Sequence, residues 1–62
     1  RAFRLEIITE LLGQSDKGLP FDQLWAQVNL IVRSTRLQVA SILSHYPQFS
    51  LAGGRWMLTD GQ

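Results

Sequence analysis

Few residues in this chain are suited to chemistry. His45 is the only histidine, there is no cysteine, and Glu6 and Glu10 stand four positions apart. Nucleophilic catalysis needs a serine, cysteine or lysine activated by a base that a third group holds in place. His45 has no acid near it in sequence, and at the end of a helical stretch it reads as a cation beside the helix dipole. Glu6 and Glu10 can offer two carboxylates to a metal or a water, but no third ligand accompanies them, and a solvated helix face accounts for both. Gly53-Gly54 precedes a strand-like run rather than a helix, so it lacks the form of a phosphate-binding loop. No catalytic, metal-binding or cofactor-binding residue is therefore assigned, and this segment is expected not to be an enzyme.

Binding chemistry has more to work with. The net charge is only +1, which by itself does not mark a nucleic-acid binder, but its distribution is uneven. All five acids (Glu6, Glu10, Asp16, Asp22 and Asp60) lie outside residues 23 to 59, a stretch that holds Arg33, Arg36, Arg55 and His45. Such a window reads either as a thin basic patch or as chance clustering.

The elements that must position these residues follow from periodicity. From Phe3 to about Leu12, the residues Leu5, Ile8, Leu11 and Leu12, with Ile7 beside them, fall on one arc at helical spacing. Gly13 stops that helix and Gln14 to Gly18 is a polar turn. Leu19-Pro20-Phe21 is a brief extended segment, because Pro20 drives Leu19 away from helical angles. Asp22 has the residue type of an N-cap for a second helix reaching about Ile31, with Leu24, Val28 and Ile31 on one face and Trp25 and Val32 beside it. Trp25 is read as half-buried core, with a partner contact as the other reading.

Arg33-Ser34 is a connector, and Thr35 followed by Gln38 has the form of a capping box. The third helix runs from there to His45 or Tyr46, where Pro47 ends it. Val39, Ile42, Leu43 and Tyr46 form its buried stripe; Leu37, Gln38, Ala40, Ser41, Ser44 and His45 face outward. The run Phe49-Ser50-Leu51-Ala52, then Gly53-Gly54, then Arg55-Trp56-Met57-Leu58 predicts a hairpin with a two-residue turn. In that register Leu51 faces Trp56 and Phe49 faces Leu58, so all four share one apolar face.

Helix, extended piece, helix, helix and hairpin is the order of a winged helix: an α+β, mainly helical fold in which a three-helix bundle carries a small antiparallel β-hairpin wing. Val39, Leu43, Pro47, Phe49, the Gly53-Gly54 turn, Trp56 and Leu58 resemble a helix ending in "p-x-F" followed by "G-x-x-W-x-L". That pattern, with Gly18-Leu19-Pro20-Phe21 and Leu24, is similar to the HARE-HTH group of winged-helix domains. The loop between the second and third helices is shorter here than is common in that group. The resemblance spans nearly the whole chain but rests on core and turn residues.

It implies a non-catalytic, DNA-binding module of a larger DNA-acting or transcription-linked protein. In helix-turn-helix proteins the recognition helix enters the major groove by its amino-terminal end, while the wing meets the backbone or minor groove. The expected DNA-binding residues are then Arg33, Ser34, Thr35, Arg36, Gln38, Ser41, Gly54 and Arg55. The hydroxyls and guanidinium groups suit phosphates, Arg36 can also bind guanine bidentately, and the glycine lets backbone approach DNA closely. Binding to double-stranded DNA is expected to be weak and largely phosphate-mediated. The alternative is a protein-protein interaction winged helix, because Leu37, Ala40, Ser41 and Ser44 leave the outward face of the third helix uncharged.

Length and composition bound the rest. Sixty-two residues make one domain, read as residues 1–62, and the start at Arg1 with only 18% charged residues makes a module of a longer protein the expectation. Without cysteine there is no disulfide or thiolate staple, so packing must supply the stability from 45% hydrophobic residues. No apolar run approaches the ~20 residues of a membrane span. No membrane partner is expected, and an intracellular location, cytoplasm, nucleoid or nucleus, is.

Overall fold

The computed structural model describes residues 3–59. Along the chain come α1 (Phe3–Gly13), β1 (Leu19–Pro20), α2 (Phe21–Ile31), α3 (Arg36–His45), β2 (Phe49–Ala52) and β3 (Arg55–Leu58). The strands form one antiparallel sheet in the order β1-β3-β2. Among the described residues this is an α+β, mainly helical architecture with the layout of a winged helix. None of these helices is long and apolar enough to cross a membrane.

Each helix buries one pair of aliphatic residues a turn apart. Ile8 and Leu12 of α1, Leu24 and Val28 of α2, and Val39 and Leu43 of α3 meet in a single core closed by Phe49 of β2. The four-residue spacing puts each pair on one side of its helix. Leu5, Ile7, Leu11, Trp25, Val32, Ile42 and Tyr46 pack around the edge of that core.

The helix ends are made in different ways. At α3, Thr35 Oγ1 accepts from the Gln38 amide (3.1 Å) and Gln38 Oε1 accepts from the Thr35 amide (2.8 Å), the full capping box expected from the sequence. At α2 the expected N-cap, Asp22, is displaced. The cap position belongs to Pro20 at φ −61° and ψ 152°, which makes no side-chain cap bond, and Asp22 lies inside the first turn. Pairing of Leu19 and Pro20 with β3 holds the chain extended up to Pro20, so the helix starts one residue before Asp22. There Asp22 still complements the positive end of the dipole.

The hairpin has the predicted register, Phe49 with Leu58 and Leu51 with Trp56. Both turn glycines have positive φ, +60° and +77°, as a type I′ turn requires. Its apolar face is only partly covered, however. Phe49 is buried and Trp56 and Leu58 pack on the core, but Leu51 is 58% exposed, because the wing near its turn runs past the helices. The expected third face residue of α2 departs likewise: Ile31 is 62% exposed, and Val32 packs against the core instead. Ile31 is the last residue of α2, where it lines an open pocket with Ile7, Glu10, Leu11 and Gln14.

Gly18 is the tightest point of the fold. At φ +78°, a Cβ there would lie 2.6 Å from Met57 Cγ and 2.6 Å from the Trp56 carbonyl. Its lack of a side chain lets the α1–β1 turn pass directly over β3, and Ser15 Oγ and Arg55 Nη1 both donate to its carbonyl.

Two substitutions should therefore abolish a sharp thermal transition. Leu43→Ala removes a fully buried side chain at a cost of about 2–5 kcal/mol, comparable to the whole stability of so small a domain. Gly18→Ala forces both a backbone clash and a left-handed φ. Gly53→Ala, where a Cβ meets nothing within 4 Å, should lower the melting midpoint only modestly, because the left-handed conformation alone costs about 1–2 kcal/mol. A Gly18→Ala protein melting like the parent in calorimetry would show that the turn over β3 is not constrained as described.

Candidate nucleic-acid interface

The connector between α2 and α3 is built on Ser34, which is only 8% exposed. Its amide donates to Asn29 Oδ1 (2.8 Å) and its hydroxyl donates to the Val32 carbonyl (2.8 Å). Ser34 Oγ accepts from Arg4 Nε (2.7 Å), and the Ser34 carbonyl accepts from Trp25 Nε1 (2.9 Å). Every polar group of Ser34 thus has an intramolecular partner, and its hydroxyl holds the connector rather than standing open to a phosphate.

Next to it, the capping box engages the Thr35 hydroxyl and the Gln38 carbonyl oxygen, leaving the Gln38 amide nitrogen as a donor that the cap does not use. The box delivers Arg36 to the first helical position of α3. Its guanidinium pairs with Asp22 and stacks 4.3 Å from the centroid of the Trp25 ring. This changes the electrostatic picture drawn from the sequence: residues 23 to 59 contain no acid, yet the fold brings Asp22 onto Arg36 from outside that window. Both partners are largely exposed, so the pair is worth about 0.2–1 kcal/mol and is open to exchange.

The remaining expected residues spread over neighbouring elements. Arg33 and Ser41 are exposed. Arg55 stands opposite Pro20 in the sheet and donates to the Gly18 carbonyl (3.3 Å). That places it beside the start of α2, opposite a residue two positions before Asp22. Gly54, at the wing tip, has open space around it. Arg36 and Arg55 therefore border the amino end of α2, whereas Arg33 follows its carboxyl end.

Sequence reasoning missed Arg4. From α1 it reaches thirty positions along the chain to Ser34 and also donates through Nη2 to the Arg33 carbonyl (2.8 Å). Its only local signal is a cation one turn before Ile8, at the border of the buried stripe. Trp25 likewise proves to be more than a half-buried core residue, since it joins the connector to Arg36. Glu6 and Glu10 are exposed on α1, His45 is exposed at the end of α3 against the edge of the Tyr46 ring, and no group of three potential metal ligands forms among the described residues. No protein-family model matches the chain, and no characterised protein or solved structure does so either.

The connector can be tested apart from any ligand. Ser34→Ala removes the acceptor of Arg4 Nε and should destabilise by about 1–2 kcal/mol. Thr35→Ala removes the cap and should cost about 1 kcal/mol. Urea unfolding measures both, and a Ser34→Ala protein as stable as the parent would remove Ser34 from its place as the tie.

Proposed function

We propose that this chain is a non-catalytic DNA-binding winged-helix module that grips duplex DNA weakly, mainly by its phosphates, within a larger DNA-acting or transcription-linked intracellular protein. The observation that carries this reading is the set of exposed arginines around α3 and the wing. Arg33 and Arg36 flank the capped amino end of α3, Arg55 projects from β3, and Asp22 is the one acid paired with them among the described residues. The helix N-terminus adds a partial positive charge at the same place. The likeness of the core and turn residues to the HARE-HTH group supports the same reading. Arg33, Arg36 and Arg55 serve phosphates, and Arg36 and Gln38 are also able to reach base edges.

Neutralising about three phosphates gives a log–log salt slope of about −2.7, at ~0.9 per contact, and a dissociation constant of about 10⁻⁴–10⁻⁶ M. Replacing Arg36 by alanine should relax any base preference, whereas Arg55→Ala should weaken all sequences alike and reduce the slope by about one. Asp22→Asn should tighten binding roughly 1.5- to 5-fold, because it frees Arg36 from an exposed ion pair worth about 0.2–1 kcal/mol. Titration of a labelled duplex at several salt concentrations reads all of these. An unchanged slope in the Arg36/Arg55 double variant would remove this surface as the DNA site.

A second reading has its own observation. Leu37 on the neutral face of α3 is 75% exposed and Leu30 on α2 is 86% exposed, which favours a protein contact. Absence of duplex binding by the parent at low salt would put that reading first.

A further inference from the structure

We infer that Arg4 forms a pre-organised seat for one phosphodiester oxyanion beside the amino end of α3, next to the phosphate that Arg33 meets. An open depression of about 420 Å³ lies there, lined by Arg4, Asn29, Arg33, Ser34, Thr35 and Gln38, without a carboxylate among them. A guanidinium carries five N–H donors. Two of those on Arg4 are used, on Ser34 Oγ and on the Arg33 carbonyl, which leaves three on a group already held in one orientation. Ordering a long side chain is a cost that most surface arginines meet only when the ligand arrives. Here two hydrogen bonds within the fold have met it, and the planar fork stays presented toward an oxyanion.

Arg33 supplies a second charge from the same connector. The first turn of α3 supplies amides that intrahelical bonds leave free: Gln38 is capped by Thr35 and the Val39 amide donates to the Thr35 carbonyl, but those of Arg36 and Leu37 precede the helical ladder. A tie between α1 and the connector would need only the two bonds that Arg4 makes. The acid-free depression that Arg4 also lines is what a tie does not require. The inference rests on the DNA reading, since a nucleic-acid backbone is its source of oxyanion, and it adds a fourth phosphate contact to the three assigned above.

Two measurements separate the inference from the reading beneath it. In the first, the parent, Arg4→Gln and Arg4→Lys are titrated with a short duplex from about 50 to about 200 mM salt. Four contacts predict a slope of about −3.6 for the parent, and Arg4→Gln should return it to about −2.7, so that its affinity falls about 3.5-fold less over that range. Arg4→Lys should keep the slope but bind more weakly, having charge without the fork. In the second, inorganic phosphate is added at constant ionic strength, with chloride as control, while the Arg33 Nε–H and the Arg36 and Leu37 amides are followed by NMR. Saturable shifts specific to phosphate are expected in the parent and should be lost in Arg4→Gln.

Equal duplex slopes for the parent and a folded Arg4→Gln protein would overturn the seat while leaving the DNA reading intact. Phosphate-specific shifts in a parent that binds no duplex would uphold the seat and remove the DNA reading. If Arg4→Gln does not fold, Arg4→Lys decides: a diminished phosphate response supports the seat and an undiminished one overturns it.

Discussion

Ser34 meets four hydrogen-bond partners in a connector only a few residues long. Arg4 comes from α1, Trp25 and Asn29 from α2, and Val32 from the end of α2 itself. A buried polar residue is tolerated only when its groups are satisfied, and a fully satisfied one permits few alternative arrangements. The connector therefore leaves α2 in one direction and enters α3 in one direction. The capping box follows at the next residue, and with it the position of Arg36. Placement of the arginines around α3 depends on this node together with the close-packed core, which fixes the face that each helix turns inward.

The wing has a separate constraint of the same kind. β3 is the central strand, so its position decides both Trp56 and Arg55. Gly18 lets the first turn lie against the β3 backbone, and Leu19 and Pro20 pair with it. That pairing ties the hairpin to the start of α2, which sets Arg55 opposite Pro20, two residues before Asp22. A two-stranded hairpin alone is marginal in water, and a third strand with a helix-covered face supplies what it lacks. The short β1 thus contributes more to the interface than its two residues suggest.

The local signals in the sequence were sound where the physics is local. Thr35 and Gln38 make their cap within one helical turn, and the Gly53-Gly54 turn sets its own register, so both could be read without knowledge of the rest. The errors fall where a distant element decides. Asp22 has the chemistry of a cap, but β1 pairing moves the helix start. Ile31 and Leu51 have the right periodicity yet stay largely exposed, because periodicity gives a face and not the extent of its cover. Ser34 looked like a phosphate ligand on residue type alone, and its burial comes from Arg4, thirty residues away. The pairing of Arg36 with Asp22 is non-local in the same sense: a run free of acids in sequence is not a surface free of acids.

That pairing bears on how such a surface would bind DNA in the role proposed for it. An exposed carboxylate and a phosphate offer Arg36 attractions of similar size, so exchanging one for the other yields little net free energy. The Arg36 guanidinium lies over the Trp25 ring, a contact with the π face and not with a hydrogen-bond acceptor, so it orients the group without competing for its N–H donors. Asp22 then lowers the contribution of Arg36 to overall affinity more than it lowers its ability to discriminate, because the order imposed by Trp25 survives the exchange. In that reading, affinity comes from the number of cations that converge on the backbone, and any sequence preference comes from Gln38 and from Arg36, which Trp25 orients.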